Sequence, residues 1–131
     1  MNSFLDSVIK DSGNEYAGIV EDGVEGSDVT GFVNTGSYAL NALLSGDIHN
    51  GMPDNKIIAL AGESATGKTY FALDICKKFL NDKKDAVVLY FDSEQAVTSD
   101  MIKERKMDPS RVAIFPVATV EDFRFQCIKI V

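Results

Sequence analysis

Apolar residues fall along this chain in two rhythms, and the alternation between them predicts its elements. Phe4, Leu5, Val8 and Ile9 recur at helical spacing and predict a short amphipathic helix with one apolar stripe. Leu40, Leu43 and Leu44 share the face of a second helix, with Ser37 placed as its N-cap and Gly46 as its stop. Residues 52–55, Met-Pro-Asp-Asn, read as a turn, and residues 57–61, Ile-Ile-Ala-Leu-Ala, as a buried strand. A helix is expected over 69–80. Residues 86–91 are six apolar residues in a row, the pattern of a parallel strand covered on both faces. A helix over 99–106, broken by Pro109, precedes a third strand at 112–117. Thr119 then caps a last helix, with Glu121 and Asp122 in its first turn, running to 131. Alternating strands and helices predict a parallel α/β sheet with right-handed crossovers.

The stretch between the first helix and the rest changes this picture. Residues 11–28 are rich in Gly, Asp, Glu and Ser and read as a flexible acidic linker. The chain therefore divides into an N-terminal helical arm with its linker, 1–30, and a core, 31–131. The apolar stripe of the arm either folds back on its own domain or docks on a neighbouring subunit, and the pattern leaves both open. Charge follows the same division. Residues 1–55 carry nine acids against Lys10 alone, whereas 56–131 are nearly balanced, within a total of −7. No basic cluster announces a nucleic-acid surface. With 131 residues the chain is one domain or less, with a modest core. Cys76 and Cys127 match no zinc or redox spacing and read as small buried apolar residues of a reducing compartment. No signal peptide and no apolar stretch of membrane-spanning length are present, so an intracellular, cytoplasmic protein with no membrane partner is expected.

The chemistry concentrates at residues 62–69. Gly62, Glu63, Ser64, Ala65, Thr66, Gly67, Lys68 and Thr69 form a complete G-x-x-x-x-G-K-[ST] phosphate-binding loop between a predicted strand and a predicted helix. Glycines at its ends allow the backbone to wrap a phosphate, and amides of 64–69 can point inward beside the positive end of the helix. Lys68 is placed to reach the β- and γ-phosphates, and the Thr69 hydroxyl to hold Mg²⁺. These residues predict ATP and Mg²⁺ as cofactors. Tyr70 either packs near the base or ribose or is buried against the sheet. In open α/β sheets reactive groups collect at the carboxyl ends of strands, which brings Asp92, Ser93 and Glu94 to the same crevice. Glu94 is the candidate for activating the attacking water, the alternative being a helix cap. Asp92 is a candidate to cap the helix or to orient Mg²⁺-bound water. His49, alone in a polar loop, is given no role.

The block formed by Thr35-Gly36-Ser37, Leu40, Leu43-Leu44-Ser45-Gly46, Gly51-Met52-Pro53 and residues 57–69 resembles the ATPase core of the RecA family of recombinases, nearest its phage branch, UvsX. Tyr90-Phe91-Asp92-Ser93-Glu94 is similar to the family's strand ending in the water-activating glutamate, which falls on Glu94. Asp108-Pro109-Ser110-Arg111-Val112 resembles the turn leading to the next strand in phage members. The resemblance covers residues 31–131. It implies a P-loop NTPase fold of RecA type, incomplete at its C-terminal side, with Lys68 and Glu94 as catalytic residues and Thr69 as metal ligand. It further implies an ATP-dependent filament on single-stranded DNA, acting in strand exchange, recombination and DNA repair. In the family, an aspartate-ending strand and two DNA-binding loops follow beyond the point where this sequence stops, so single-stranded DNA would be bound through regions absent from it. The pair of residues framing adenine in bacterial members falls on Thr98 and Met101. The arm fits the family in character, as a subunit-docking element of a homo-oligomer or filament. Two other readings remain: another RecA-fold ATPase such as a helicase, which the 35–53 block disfavours, and a non-enzymatic fragment that binds or caps a recombinase filament.

Overall fold

The computed structural model describes residues 3–24 and 27–130. Helix α1, Ser3–Ser12, opens the chain and has no buried residue. The acidic linker is not featureless. It holds a 3-10 turn at Val20–Asp22, and the Val24 amide donates to Asp28 Oδ2 at 2.8 Å. Asn55 Nδ2 donates to the Asp28 carbonyl at 2.5 Å, and the Lys56 ammonium donates to the Ser27 carbonyl. The end of the linker is thus fastened across the start of the core.

Strands β1, Phe32–Val33, and β2, Met52–Pro53, pair antiparallel, with Phe32 opposite Pro53 and Val33 opposite Met52. Met52 and Pro53 are therefore strand residues, and the expected turn is confined to the two positions after them. Between the strands lies α2, Tyr38–Ser45, where Ser37 Oγ accepts from the Leu40 amide at 3.3 Å and Gly46 closes the helix in the left-handed region. Asn41 is fully buried, so its amide must find partners inside. It accepts from Thr35 Oγ1 at 2.7 Å and from the Thr35 amide at 3.0 Å, and donates to the Ile48 carbonyl at 2.8 Å. Gly51 must be glycine here, because a Cβ would lie 2.3 Å from the Val33 carbonyl oxygen.

The second layer is built on α3, Lys68–Asp82, and on strands β3, Val88–Asp92, and β4, Val112–Pro116. These two strands pair parallel, in register from Val88 opposite Val112 to Asp92 opposite Pro116, as the sequence predicts. The connection runs through α4, Ser99–Glu104, and a 3-10 turn at Pro109–Arg111. Helix α4 stops short of 106 because Lys106 takes a φ of 56°, letting the Met107 amide reach back to the Ile102 carbonyl at 3.2 Å. Leu73, Leu80, Val88, Val97, Ile102 and Met107 make the core of this layer. Arg111 locks it from outside: its guanidinium donates to the carbonyls of Leu80, Lys83 and Lys84 at 2.5, 3.1 and 2.6 Å, where α3 leaves acceptors unfilled. The last helix, α5, spans Val120–Ile130, and Phe91 stacks on Phe115 and meets Phe123 edge-on, each at 5.0 Å. Val131, where the sequence expected this helix to finish, lies outside the described residues.

One expected strand does not form. Residues 57–61 run without a sheet partner, and Ile57 is 103% exposed. A strand needs a neighbour for its amides and carbonyls, and neither two-stranded sheet offers this segment one. The architecture is a mixed α/β fold with one antiparallel and one parallel sheet. No helix among the described residues is long and apolar enough to cross a membrane.

Candidate functional site

The loop of residues 62–67 is shaped by two left-handed positions. Gly67, with φ 90° and ψ 15°, is the N-cap of α3 and offers no side-chain cap, while Ala65 takes φ 61°. Turns of this kind aim successive amides at one concavity. The first helical bond runs from the Phe71 amide to the Gly67 carbonyl at 3.0 Å. Residues 64–65 form a turn, and among the described residues the amides of 67–69 have no protein acceptor. Thr66 Oγ1 donates to the Glu63 carbonyl at 2.8 Å and stiffens the loop from within. Lys68 folds back over it, donating from Nζ to the carbonyls of Gly62 at 2.9 Å and Glu63 at 2.6 Å. A cation and a set of amide donors therefore converge on one small volume, the electrostatic requirement for holding a polyanion.

Across this volume stands Glu94. Together with Ser64, Ala65, Gly67, Lys68 and Thr69 it lines a cleft of about 380 Å³. Its place is set by Asp92 at the end of β3, which is 6% exposed. Asp92 Oδ1 accepts from the Glu94 amide at 3.2 Å and Oδ2 from the Val97 amide at 2.9 Å. Both carboxylate oxygens thus accept amides of the 93–97 loop. This corrects one expectation for Asp92, because it does not cap the following helix. The cap of α4 is Thr98, whose hydroxyl accepts from the Met101 amide at 3.3 Å, so Glu94 is not a helix cap either.

Two neighbours of the loop were not legible as such in the sequence. Tyr90, on β3, has its hydroxyl near the Thr69 side chain. Burial, then the nearby Asp92 charge, pushes its phenol above the usual range, so it stays neutral and polar beside Thr69. Tyr70 is 58% exposed, which removes the expected alternative of burial against the sheet. Arg105, the residue closing α4, holds its guanidinium carbon 4.5 Å from the Tyr70 ring centre. No signal in the sequence joins residues so far apart. Thr98 serves as a cap and Met101 packs on the core, while His49 stays exposed, with its ring edge-on to Tyr38. Cys76, partly buried on α3, has its thiol pushed up by burial. No group of three or more His, Cys, Asp or Glu suited to a metal ion occurs among the described residues.

No family model matches the chain. Over 97 residues it is 34% identical to a recombination and repair protein of Enterobacteria phage T4. That match covers 74% of this chain and 25% of the phage protein, so the chain spans about a quarter of the length of the curated relative it matches.

Proposed function

We propose that residues 62–69 bind the triphosphate of ATP with Mg²⁺, in the nucleotide-binding part of a RecA-type, UvsX-like recombinase acting in recombination and repair. The observation that carries this reading is the meeting of Glu94 with Lys68 and Thr69 across one cleft. The similarity to the phage T4 protein, whose name states recombination and repair, supports the same role. Lys68 would exchange the Gly62 and Glu63 carbonyls for β- and γ-phosphate oxygens, stronger acceptors because they are charged. The amides of 64–69 would take the remaining phosphate oxygens. Thr69 would hold Mg²⁺ through its hydroxyl, and the ion would neutralise phosphate charge. Glu94 would orient a water and accept its proton as the γ-phosphate is attacked. In the whole recombinase, ATP would favour a filament on single-stranded DNA that exchanges strands, and hydrolysis would allow its release.

Titration calorimetry with ATP–Mg²⁺ tests the binding claim. Lys68→Ala removes a cation from the loop and lowers affinity by about tenfold or more; equal affinity for both proteins would end the assignment. In a chain extended by the remaining recombinase segments, Glu94→Gln lowers kcat and leaves nucleotide affinity nearly intact, because the carboxylate acts in the transition state. Unchanged turnover would remove Glu94 from the chemistry.

The arm favours a second reading, in which the chain is a non-enzymatic module that docks on a recombinase filament. Phe4, Leu5 and Val8 of α1 lie exposed, Ile9 is half-buried, and no residue of the helix is fully buried. Removing residues 1–12 would then abolish association without unfolding the core, as read by light scattering and circular dichroism. Unchanged association would take the arm out of any interface.

A further inference from the structure

Beyond the loop, the molecule carries an aromatic side chain at the first turn of α3 whose exposure no packing need explains. Tyr70 directly follows Thr69 and is more than half exposed. One face of its ring is covered by Arg105, 4.5 Å away, and the Arg105 guanidinium is steadied by a bond from Nη1 to the Met101 carbonyl at 3.5 Å. Arg105 Nε is buried without a partner, so this side chain is held by the ring beneath it rather than by a saturated set of hydrogen bonds. With the guanidinium over one face, the ring stays more than half exposed, one residue along α3 from Thr69 of the cleft.

We propose that Tyr70, backed by Arg105, is the shelf on which the base of the nucleotide stacks. This rests on the reading of residues 62–69 as the triphosphate site, and it adds the substrate class. Stacking recognises a π face rather than a hydrogen-bonding edge, so it favours the larger purine surface and separates one purine from another poorly. The site is accordingly a purine-triphosphate site, accepting GTP within a few-fold of ATP and binding CTP more weakly. Tyr70 is a specificity-determining residue, and Arg105 is a positioning residue that acts through it.

The test is titration calorimetry on the 131-residue chain, using ATP, GTP, CTP and inorganic tripolyphosphate, each with Mg²⁺. The tripolyphosphate reports the loop without a base. Tyr70→Ala is expected to weaken ATP and GTP by about tenfold and leave tripolyphosphate unchanged, while Tyr70→Phe keeps wild-type affinity. Arg105→Ala should lose a smaller part, again only for ligands carrying a base. Circular dichroism checks that each variant is folded, which the exposure of Tyr70 favours. Tyr70→Ala that binds ATP as tightly as wild type overturns the shelf, as does strong discrimination between ATP and GTP. Equal loss of ATP and tripolyphosphate also overturns it, since Tyr70 would then be supporting the loop. If wild type binds tripolyphosphate but no base adds affinity, the shelf fails and the loop reading stands. If it binds none of the four, both fail together.

Discussion

Residues 57–61 and residues 86–91 are nearly the same text, short unbroken apolar runs on either side of one helix, yet the structure treats them oppositely. The second run supplies most of β3, pairs with β4, and sends Val88 into the core with Leu73 and Ile102. The first stays extended and unpaired, with Ile57 wholly in solvent and Leu60 exposed. Ile58, beside Leu40, Leu44, Met52, Phe71 and Ile75, instead borders an apolar groove of about 470 Å³. Hydrophobicity drives burial only where another element presents a partner for the backbone and a face for the side chains. One run has both, and the other lacks the backbone partner.

The strongest way to break that comparison is to cut one side chain from each region. Leu73 is 0% exposed at the centre of the packed layer, so Leu73→Ala is expected to destabilise by about 2–5 kcal/mol in urea unfolding. Ile57→Ala, in the unpaired run, should stay within about 0.5 kcal/mol. Similar losses at the two positions would mean that the 57–61 run is packed in solution.

A smaller effect is expected where the packed region meets the cleft. Asp92→Ala leaves the Glu94 and Val97 amides without their acceptor, one beneath the loop and one buried, and is expected to cost about 1–3 kcal/mol. The same change should release Glu94 from its position, so the 93–97 amides should exchange with solvent faster while those of 62–67 do not. Faster exchange in both loops would show that they are one cooperative unit.

Arg111→Ala removes the donor that serves three carbonyls at the end of α3, and a loss of about 1–2 kcal/mol is expected on urea unfolding. Arg111→Lys should recover only part, because an ammonium lacks the planar fork. Full recovery would mean that charge alone closes the helix.

The smallest effect concerns the tie between the N-terminal sheet and the packed layer. Lys83, 2.9 Å away, and then Thr30 hold the Asp54 carboxyl below the usual carboxylate range. A depressed folded pKa gives stability that is present above the ordinary value and is lost as pH falls through the lower one. Amides near this tie, such as that of Asp54 bonded to the Gly31 carbonyl, should lose exchange protection only in that acid window. Lys83→Met should move the Asp54 titration, followed by NMR, back up toward the ordinary range; no movement would assign the shift to Thr30 alone.

Much of the local structure was legible because its causes are local. Ser37 and Gly46 bound α2 through a hydroxyl and a left-handed glycine, both visible as residue types. The G-x-x-x-x-G-K-[ST] spacing announced the loop, and the structure turns it at Ala65 and Gly67 before the helix begins. Alternation predicted that β3 and β4 run parallel, which they do. Other features depend on what stands across from a residue. Asp92 looked like a candidate helix cap but folds a loop, because the amides of Glu94 and Val97 lie within its reach. The linker looked slack, yet Asn55 and Lys56 fasten its end. The 57–61 run carries the strand pattern and lacks the neighbour that would make it one.

The amino-acid sequence by itself determined the turn of the 62–69 loop, the bounds of α2 and the α/β alternation, since dihedral preference, capping and periodicity act over a few residues. Tertiary structure decided that Glu94 shares a cleft with Lys68 and Thr69, that Arg105 lies over Tyr70, and that of two matching apolar runs one pairs in a sheet and puts Val88 in the core. Each of these is a meeting of distant segments, and the free energy that selects it resides in the pair and in neither segment alone.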